Sequence, residues 1–293
     1  MGNGRYRYAR CTRHFVDAAQ REGSLRTPSA RLPTSRTIPH VIAAVDCKAL
    51  CSYSRAMGRI LWVNPVGTAA FDQETHELID AVRSPHFEPV VRSLPSGPPH
   101  LEYHNYEADA FHPMLGLFRD ADSKGYFAGV IGCFYDGGLR ELREACRMPI
   151  VGMAEASLAL AATMGHKFSI IVGRRKWIPK MEENVLLYGH ERRLASFRSV
   201  DMGIPDVAAD PDLFFDRCLE EADRAVRTDG AEVVVLSEIA TPAFWKRAAT
   251  ELDAPIVDPG IACWKMAELV GDLYNKTGLT HSKVGGFEAP PDS

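Results

Sequence analysis

Short apolar runs alternate with longer helical segments over most of the chain, and this alternation constrains the fold more than any other feature. The apolar runs, which have the length of buried strands, fall at residues 60–64, 90–94, 129–133, 150–152, 168–173, 195–200, 233–236 and 255–257. The helical segments between them fall at residues 71–82, 109–121, 138–145, 154–164, 211–228, 242–252 and 262–273. Because such alternation is typical of βαβ units, the sequence predicts an α/β fold built on parallel sheets.

The first 56 residues carry a charge opposite to that of the rest of the chain. They hold ten Arg or Lys and three acidic residues, a net charge of +7, whereas the remainder sums to −11. Nucleic-acid affinity depends on Lys and Arg that neutralise phosphates, so an acidic body indicates no nucleic-acid partner. No apolar run approaches the roughly 20 residues that a membrane-spanning helix needs, and we expect no membrane partner.

The basic segment, residues 1–56, has three interpretations. Met57 stands directly before the first predicted strand, which favours a start codon assigned too early. A natural flexible extension and an Arg- and Ser-rich targeting peptide are the alternatives. In each case we leave residues 1–56 out of the fold and expect a poorly ordered segment.

Seven cysteines are scattered through the chain, without a secretory signal or a Cys-x-x-Cys pair. An odd and scattered set indicates reduced thiols, and we expect a cytoplasmic protein. His100, His104 and His112, with Glu107 and Asp109 between them, are metal-ligand types, but their spacing matches no known ligand pattern well. We predict no bound metal.

The turns that follow the predicted strands are the candidate sites, because ligands of open α/β sheets bind beyond the carboxyl ends of the strands. The four most distinctive turns are residues 64–68, 133–138, 173–175 and 237–241. The chain has no Gly-x-Gly-x-x-Gly after a strand, no Gly-x4-Gly-Lys phosphate loop and no Gly-x-Ser-x-Gly elbow. We therefore predict no nucleotide cofactor and no serine hydrolase.

Cys133 is the sharpest single feature. It ends a predicted strand, and a helix is predicted to begin at residue 138. Backbone N–H groups and the positive end of a helix dipole favour the thiolate, so we expect a pKa below the usual value of about 8.5. The alternative interpretation is a small buried hydrophobic residue, which is what most free cysteines are.

Several segments, taken in order, resemble the Asp/Glu/hydantoin racemase family, and in particular its hydantoin racemase branch. Residues 60–65 (Ile-Leu-Trp-Val-Asn-Pro) are similar to the opening strand and Asn-Pro turn of that family. Residues 130–139 are similar to the loop that carries the first catalytic cysteine. Residues 149–156, 229–236, 255–258 and 278–283 resemble later segments, so the resemblance runs from about residue 58 to the C-terminus.

The resemblance implies two similar α/β lobes related by a pseudo-twofold axis, with the substrate in the cleft between them. We expect residues 57–162, completed by residues 271–293, to form the first lobe and residues 163–270 the second. The family needs no cofactor, and the resemblance suggests a homo-oligomer. Its racemases use two cysteines that act as acid and base on opposite faces of one carbon.

Cys133 falls on the first of these cysteines, whereas the second loop has Glu238 where the family has cysteine. A buried carboxyl group with a raised pKa can still act as acid or base, which favours a racemase or isomerase acting at a carbon next to a carbonyl. The substrate would be a small amino-acid derivative or cyclic amide. A cysteine-dependent lyase (a decarboxylase) or ring-opening hydrolase, and a non-catalytic metabolite-binding protein, are the alternatives.

Substrate-binding residues are expected in the same loops. By the resemblance, Asn64 and Thr68 would bind substrate oxygens, and Arg174 stands where the family has small hydroxyl residues. A guanidinium pairs well with an anionic group, although a solvated basic turn is an equal alternative for Arg174. The neighbours of the two catalytic positions complete the expected set, which comprises Phe134, Tyr135, Ser237 and Ile239.

Overall fold

The computed structural model describes residues 57–291, so the expectations for residues 1–56 lie outside the described part. The strands are β1 (Gly58–Asn64), β2 (Phe87–Ser93), β3 (Ala128–Ile131), β4 (Ile150–Gly152), β5 (Phe168–Val172), β6 (Leu194–Ser199), β7 (Val233–Leu236) and β8 (Ile256–Val257). The helices are α1 (Asp72–Val82), α2 (His104–Ser123), α3 (Leu139–Ala145), α4 (Met153–Met164), α5 (Ile178–Leu187), α6 (Ile204–Ala209), α7 (Pro211–Asp229), α8 (Pro242–Glu251) and α9 (Pro259–Thr277). No helix among residues 57–291 is long and apolar enough to span a membrane.

The strands form two four-stranded parallel sheets within the described residues. The first sheet has the order β2-β1-β3-β4 and the second has the order β6-β5-β7-β8. The two sheets also correspond in register, because Val63 pairs with Ile131 where β1 and β3 end, and Ile171 pairs with Leu236 where β5 and β7 end. The predicted α/β fold with parallel sheets is confirmed.

The side chains of the strands alternate between a shared core and two outer cores, as the period of two in a strand requires. Along β1, Ile60 and Trp62 belong to a core that both sheets share, whereas Leu61 and Val63 pack with α2 and α3 on the outer face. β7 alternates in the same way between the shared core and an outer core formed with α7 and α8. The two sheets are therefore joined by one continuous apolar interior.

Two helices are exchanged between the sheets. α4 follows β4 of the first sheet, yet it packs against β7 and β8 of the second. α9 follows β8 of the second sheet, yet it packs against β1, β3 and β4 of the first. α4 and α9 also pack against each other. Each half of the chain thus supplies a helix that covers the sheet of the other half.

The sequence predicts each of these strands to within about three residues at either end but misses two helices, α5 and α6. α6 has only six residues, which is too short for an apolar period of 3.6 to be recognised. α5 follows the basic turn at residues 173–176 and begins with a proline in its first turn. α2 begins at His104, before the predicted start at residue 109. The prediction begins late because the first buried residue of this helix is Ala110.

Gly132, directly after β3, has no room for a side chain. A Cβ at this position would lie 2.4 Å from Trp62 Nε1 and 2.9 Å from the carbonyl oxygen of Val63. The Trp62 indole N–H donates to Asn64 Oδ1 (2.8 Å), and this hydrogen bond would have to shift. We expect Gly132→Ala to lower the free energy of unfolding by about 1–3 kcal/mol in urea denaturation.

Gly116→Ala is the matched control. Gly116 is exposed inside α2, and a Cβ there would meet no atom within 4 Å. Alanine has the better helix propensity, so this substitution should raise the free energy of unfolding by about 0.5–1 kcal/mol. Equal effects of the two substitutions would contradict the close packing at Gly132.

Candidate active site

Cys133 and Glu238 occupy corresponding positions at the ends of corresponding strands. β3 and β7 each stand third in the order of their sheets. The N–H of the residue before Cys133 donates to the carbonyl oxygen of Val63 (2.8 Å), and the N–H of the residue before Glu238 donates to that of Ile171 (3.0 Å). The two side chains therefore begin from equivalent points of the two sheets.

Both side chains line one cavity of about 460 Å³. Its polar lining residues come mainly from the loops beyond the strand ends and comprise Asn64, Glu74, Thr75, His100, Glu102, Cys133, Tyr135, Trp177, Ser237 and Glu238. Its apolar lining residues include Val66, Ala70, Phe71, Leu101, Phe134, Met153, Met181 and Ile239, together with residues of α6 and α7. A cavity of this size accommodates a small-molecule substrate.

A buried carboxyl group holds the Cys133 loop against α4. Asp136, with φ of 53°, accepts hydrogen bonds from the N–H groups of Ala154 (3.0 Å) and Glu155 (2.9 Å) and from the Tyr188 hydroxyl (2.8 Å). Burial raises the pKa of Asp136 to about 6, although these three donors favour the carboxylate. The loop that carries Cys133 is fixed by these contacts to the exchanged helix.

A second buried carboxyl group holds the Glu238 loop against α9. Asp258 accepts hydrogen bonds from the N–H of Ala240 (2.8 Å), from the Trp245 indole (3.1 Å) and from the N–H of Ile261 in the first turn of α9 (2.9 Å). Burial raises the pKa of Asp258, and the same donors partly offset that rise. Both candidate catalytic loops are thus fixed to the helix that follows the next strand.

The pKa of the Cys133 thiol is raised rather than lowered. Burial is the largest cause, and the nearby carboxyl groups of Glu107, Glu238 and Asp136 add to it. A hydrogen bond from the backbone N–H of Tyr135 favours the thiolate and offsets part of this rise. The group present near neutral pH is the thiol, which is suited to donate a proton.

The prediction of a lowered pKa at Cys133 is wrong, because burial outweighs the backbone N–H that favours the thiolate. α3 begins only at Leu139, after Gly138 in a left-handed conformation (φ of 76°). The intervening residues form a turn, and a dipole effect fades within the first turn of a helix.

Glu238 has a raised pKa of about 8. Burial is the largest cause, and the neighbouring carboxyl groups of Glu102 and Glu74 add to it because like charges disfavour ionisation. Near neutral pH this carboxyl group is mostly protonated, with an ionised fraction that grows as the pH rises through about 8. A group of this kind can serve as a base within the ordinary range of pH.

Glu102 connects the loop before α2 to elements of the second sheet. Its buried carboxyl group accepts a hydrogen bond from the N–H of Ile204 (2.6 Å) and forms an ion pair with Arg174. The backbone N–H of Glu102 in turn donates to His100 Nδ1 (3.4 Å). Because Glu102 also lines the cavity, it places a paired carboxylate beside Glu238.

The structure brings most of the predicted substrate-binding residues to the cavity wall. Those that line it are Asn64, Phe134, Tyr135, Ser237 and Ile239. The Asn64 side chain is already engaged, because its Oδ1 accepts from Trp62 and its Nδ2 donates to Asp72 (2.8 Å). Asn64 thus shapes the wall more than it offers a free hydrogen-bonding group.

Thr68 and Arg174 are not among the residues that line the cavity. The Thr68 hydroxyl accepts a hydrogen bond from the N–H of Ala70 (3.2 Å) and caps a short 3-10 helix instead. Arg174 pairs with Glu102, Arg175 lies 3.4 Å from Asp201, and the Lys176 ammonium lies 5.0 Å above the Tyr103 ring. The cations of this turn therefore interact with protein groups, and none of the three lines the cavity.

Two buried polar groups of the cavity lack a hydrogen-bond partner within the described residues. They are the indole N–H of Trp177 and the hydroxyl of Ser237, which are 3% and 4% exposed. An unsatisfied buried polar group is costly, so both are suited to bind a polar ligand. Sequence analysis missed Trp177 because it immediately precedes the unpredicted helix α5.

Of the three histidines that the sequence groups together, only His100 lines the cavity. His100 lines the cavity and packs against Tyr103 and Tyr106, whereas His104 and His112 lie along α2. Over residues 57–291, no group of three or more His, Cys, Asp or Glu side chains is arranged to hold a metal ion.

The chain matches the family model described as Asp/Glu/Hydantoin racemase over residues 60–267. It is 30% identical over 229 residues to the hydantoin racemase of Rhizobium meliloti, a match that covers 78% of this chain and 93% of that protein. The allantoin racemase of Klebsiella pneumoniae superposes with a TM-score of 0.74 at 27% identity, covering 80% of this chain and 95% of the other.

Arylmalonate decarboxylase shares the fold at a greater distance. Its unliganded structure superposes with a TM-score of 0.54 at 15% identity, covering 73% of this chain and 93% of the other. At this identity the likeness concerns the fold alone, because one fold hosts many functions.

Removing the charge of Glu102 should lower the pKa of Glu238. We expect Glu102→Gln to lower it from about 8 by up to about one pH unit, which corresponds to about 1.4 kcal/mol. The measurement is an NMR titration of protein labelled with ¹³C in the glutamate side chains, with the Glu238 signal assigned from its loss in Glu238→Gln. Glu77→Gln, on the exposed face of α1, is the control and should leave the titration unchanged. An unchanged titration in Glu102→Gln would contradict the coupling.

Proposed function

The chain belongs to the Asp/Glu/hydantoin racemase family, and from this premise we propose that it is a cofactor-independent racemase that inverts an acidic carbon next to a carbonyl group. Cys133 and Glu238 act as its acid and base. Its relatives are named hydantoin racemase and allantoin racemase, and racemases are isomerases, which supports an isomerase here. A cytoplasmic location and a homo-oligomeric assembly stay predictions.

One observation carries the proposal. Cys133 and Glu238 extend from equivalent strand ends of two corresponding sheets and line the same cavity. The charge of Glu238 raises the pKa of Cys133, so the two groups lie close enough to interact. Inversion at a carbon needs a base on one face and an acid on the other, and this pair supplies both.

The two raised pKa values assign the roles in one direction of the reaction. The Glu238 carboxylate takes the proton from the carbon, and the C–H electron pair passes to the carbonyl oxygen as an enolate. The Cys133 thiol then gives its proton to the opposite face of the same carbon. The reverse direction uses the protonated Glu238 and the Cys133 thiolate, so no proton is gained or lost over a full cycle.

The charges of the cavity favour a neutral substrate. Among the described residues that line it, Glu74, Glu102 and Glu238 are acidic, and none is Lys or Arg. An anionic amino acid would meet these acidic groups without a cation of its own on the cavity wall, because Arg174 is already paired with Glu102. The same argument disfavours the decarboxylase alternative, because the substrate of a decarboxylase carries a carboxylate.

A cyclic amide fits both the cavity and the names of the relatives. The unpartnered Trp177 N–H and the Ser237 hydroxyl can donate to a carbonyl oxygen, and such donors stabilise the negative charge of an enolate. Relatives of this chain are named hydantoin racemase and allantoin racemase. We therefore propose hydantoins substituted at the acidic ring carbon as the substrate class.

The two-base mechanism predicts which variants lose inversion. We expect Cys133→Ala and Glu238→Gln each to lower the rate of racemisation by about 10²–10⁴-fold, because each removes one proton-transfer group. The measurement is chiral chromatography of 5-substituted hydantoins, combined with NMR detection of deuterium at the ring carbon in D2O. A variant that still exchanges the proton of the ring carbon for deuterium, but no longer inverts that carbon, would show which face of the substrate the remaining group serves.

Cys146→Ala is the matched control, because Cys146 is a buried cysteine that does not line the cavity, and it should keep the wild-type rate. Glu238→Cys recreates the pair of thiols that the family resemblance implies and should retain inversion better than Glu238→Gln. Full activity in Cys133→Ala would contradict the mechanism. A wild-type protein that opens the ring or forms a covalent adduct on Cys133 would indicate the hydrolase alternative.

Trp177→Phe tests carbonyl recognition. The substitution keeps an aromatic ring but removes the N–H, so we expect kcat/KM for a hydantoin to fall by about 5- to 20-fold, in keeping with one lost hydrogen bond. Trp245→Phe is a comparison in which the lost indole N–H binds Asp258 and the residue does not line the cavity. An unchanged kcat/KM in Trp177→Phe, with the thermal stability retained, would contradict this role.

A further inference from the structure

We propose that one face of α5 positions the Cys133 loop, residues 133–138, for proton transfer. The face consists of Lys180 and Asn184 of α5 and of Tyr188, which directly follows the helix. Because these residues are spaced four apart, their side chains lie along one stripe. None of them lines the cavity of about 460 Å³, so we assign them as positioning residues. This inference rests on the proposed function and adds the residues that hold its acid.

Asn184 binds the backbone of the loop. Its side chain, which is 5% exposed, donates from Nδ2 to the carbonyl oxygen of Tyr135 (2.8 Å). The backbone N–H of Tyr135 in turn hydrogen-bonds the Cys133 sulfur. A buried amide is costly without a partner, and here the partner is the loop. Asn184 therefore fixes the residue whose N–H contacts the thiol.

Tyr188 binds the side chain of the next loop residue. Its hydroxyl donates to Oδ2 of Asp136 (2.8 Å), whose backbone lies in the left-handed region with φ of 53°. A non-glycine residue is strained there, and such a conformation persists only where the surrounding contacts determine it. The hydroxyl of Tyr188 is the contact that comes from α5, beside the two N–H groups that α4 supplies to the same carboxyl group.

Lys180 acts on the loop through Glu107 of α2. Its ammonium group lies 3.5 Å from the Glu107 carboxylate. That carboxylate packs against the loop at Gly137, where a Cβ would lie 2.5 Å from Glu107 Oε1. The charge of Glu107 is one of those that raise the pKa of Cys133. Lys180 therefore offsets part of a charge that disfavours the thiolate.

The three contacts matter because the loop is not closely packed on this side. A second cavity, of about 410 Å³, is lined by Asp136, Gly137 and Gly138 of the loop and by all three residues of the stripe. Close packing commonly holds a loop in place, and a void offers no such contacts. The hydrogen bonds and the ion pair of the α5 stripe supply this support instead.

Tyr188→Phe and Asn184→Leu test the two hydrogen bonds, because each removes the donor and keeps the side chain near its original size. We expect kcat for a hydantoin to fall by about 5- to 20-fold, with KM changed by less than about 3-fold, since the acid is misplaced but the cavity wall is intact. Alkylation of Cys133 by iodoacetamide should become at least about 3-fold faster, because a looser loop exposes a thiol whose thiolate is disfavoured mainly by burial.

Mass spectrometry of the tryptic peptide of residues 125–140 gives the alkylation rate, because Cys133 is its single cysteine. Tyr126→Phe is the matched control. Tyr126 packs under Arg59 (4.4 Å) and precedes β3, at the opposite end of the strand from Cys133, so the substitution should leave both rates unchanged. Wild-type kcat and wild-type alkylation in both Tyr188→Phe and Asn184→Leu would overturn the positioning role.

Lys180→Met tests the ion pair with a readout in the opposite direction. Because Glu107 is then unpaired, alkylation of Cys133 should become about 2- to 5-fold slower at a fixed pH below the pKa of the thiol. Glu107→Gln should accelerate it, and adding Lys180→Met to that variant should have no further effect. The other carboxyl groups that raise this pKa, Asp136 and Glu238, are unchanged in these variants.

A merely loosened loop would be alkylated faster, so slower alkylation identifies a charge effect. Lys246→Met, on the exposed surface of α8, is the matched control and should keep the wild-type rate. Unchanged or faster alkylation in Lys180→Met would overturn the assignment of Lys180.

Alkylation does not depend on turnover and therefore separates this inference from the proposed function. If the alkylation rates change as expected but no hydantoin is racemised, the α5 stripe positions the loop and the racemase proposal fails. If the wild type racemises hydantoins and the α5 variants match it in kcat and in alkylation, the racemase proposal stands and the positioning role fails.

Discussion

The geometry of the site depends on two buried carboxyl groups, Asp136 and Asp258. Each joins one candidate catalytic loop to the N-terminus of the helix that follows the next strand, through hydrogen bonds of 2.8–3.1 Å. Both helices, α4 and α9, lie in the interior that the sheets share. The two loops are therefore bonded to a closely packed part of the core. The loops that carry Cys133 and Glu238 are consequently held in place by the fold, as the proposed reaction on two faces of one carbon requires.

Cys133 and Glu238 differ in acidity, and this difference determines which of the two groups ionises at the lower pH. Burial raises the pKa of both groups, but the carboxyl group remains the stronger acid, with a pKa of about 8. Near neutral pH the cavity therefore holds a protonated thiol and a mostly protonated carboxyl group, which ionises as the pH rises through about 8. Glu102 contributes to this state from outside the pair, because it forms an ion pair with Arg174 and its charge raises the pKa of Glu238.

The sequence predicts the strands because an apolar run is a local pattern, as β1 and β7 illustrate. Cys133 is recognised as a candidate from its place after such a run, whereas Glu238 is recognised only through the family resemblance. The helix exchange, the buried Glu102 and the unpartnered Trp177 depend on contacts between distant segments, which no local period encodes. Arg174 illustrates the limit, because the sequence shows its charge but not that its partner is Glu102.

The exchange of α4 and α9 also explains how two corresponding sheets can carry two different groups, Cys133 and Glu238, at equivalent positions. Each half of the chain covers the outer face of its own sheet but relies on a helix of the other half at the shared interior, so two separate half-length chains would have to associate and exchange helices to build the same interior. Two identical halves would necessarily present the same residue on both sides of the cleft. A single continuous chain, whose two halves differ in sequence, allows one half to carry a thiol while the other carries a carboxyl group.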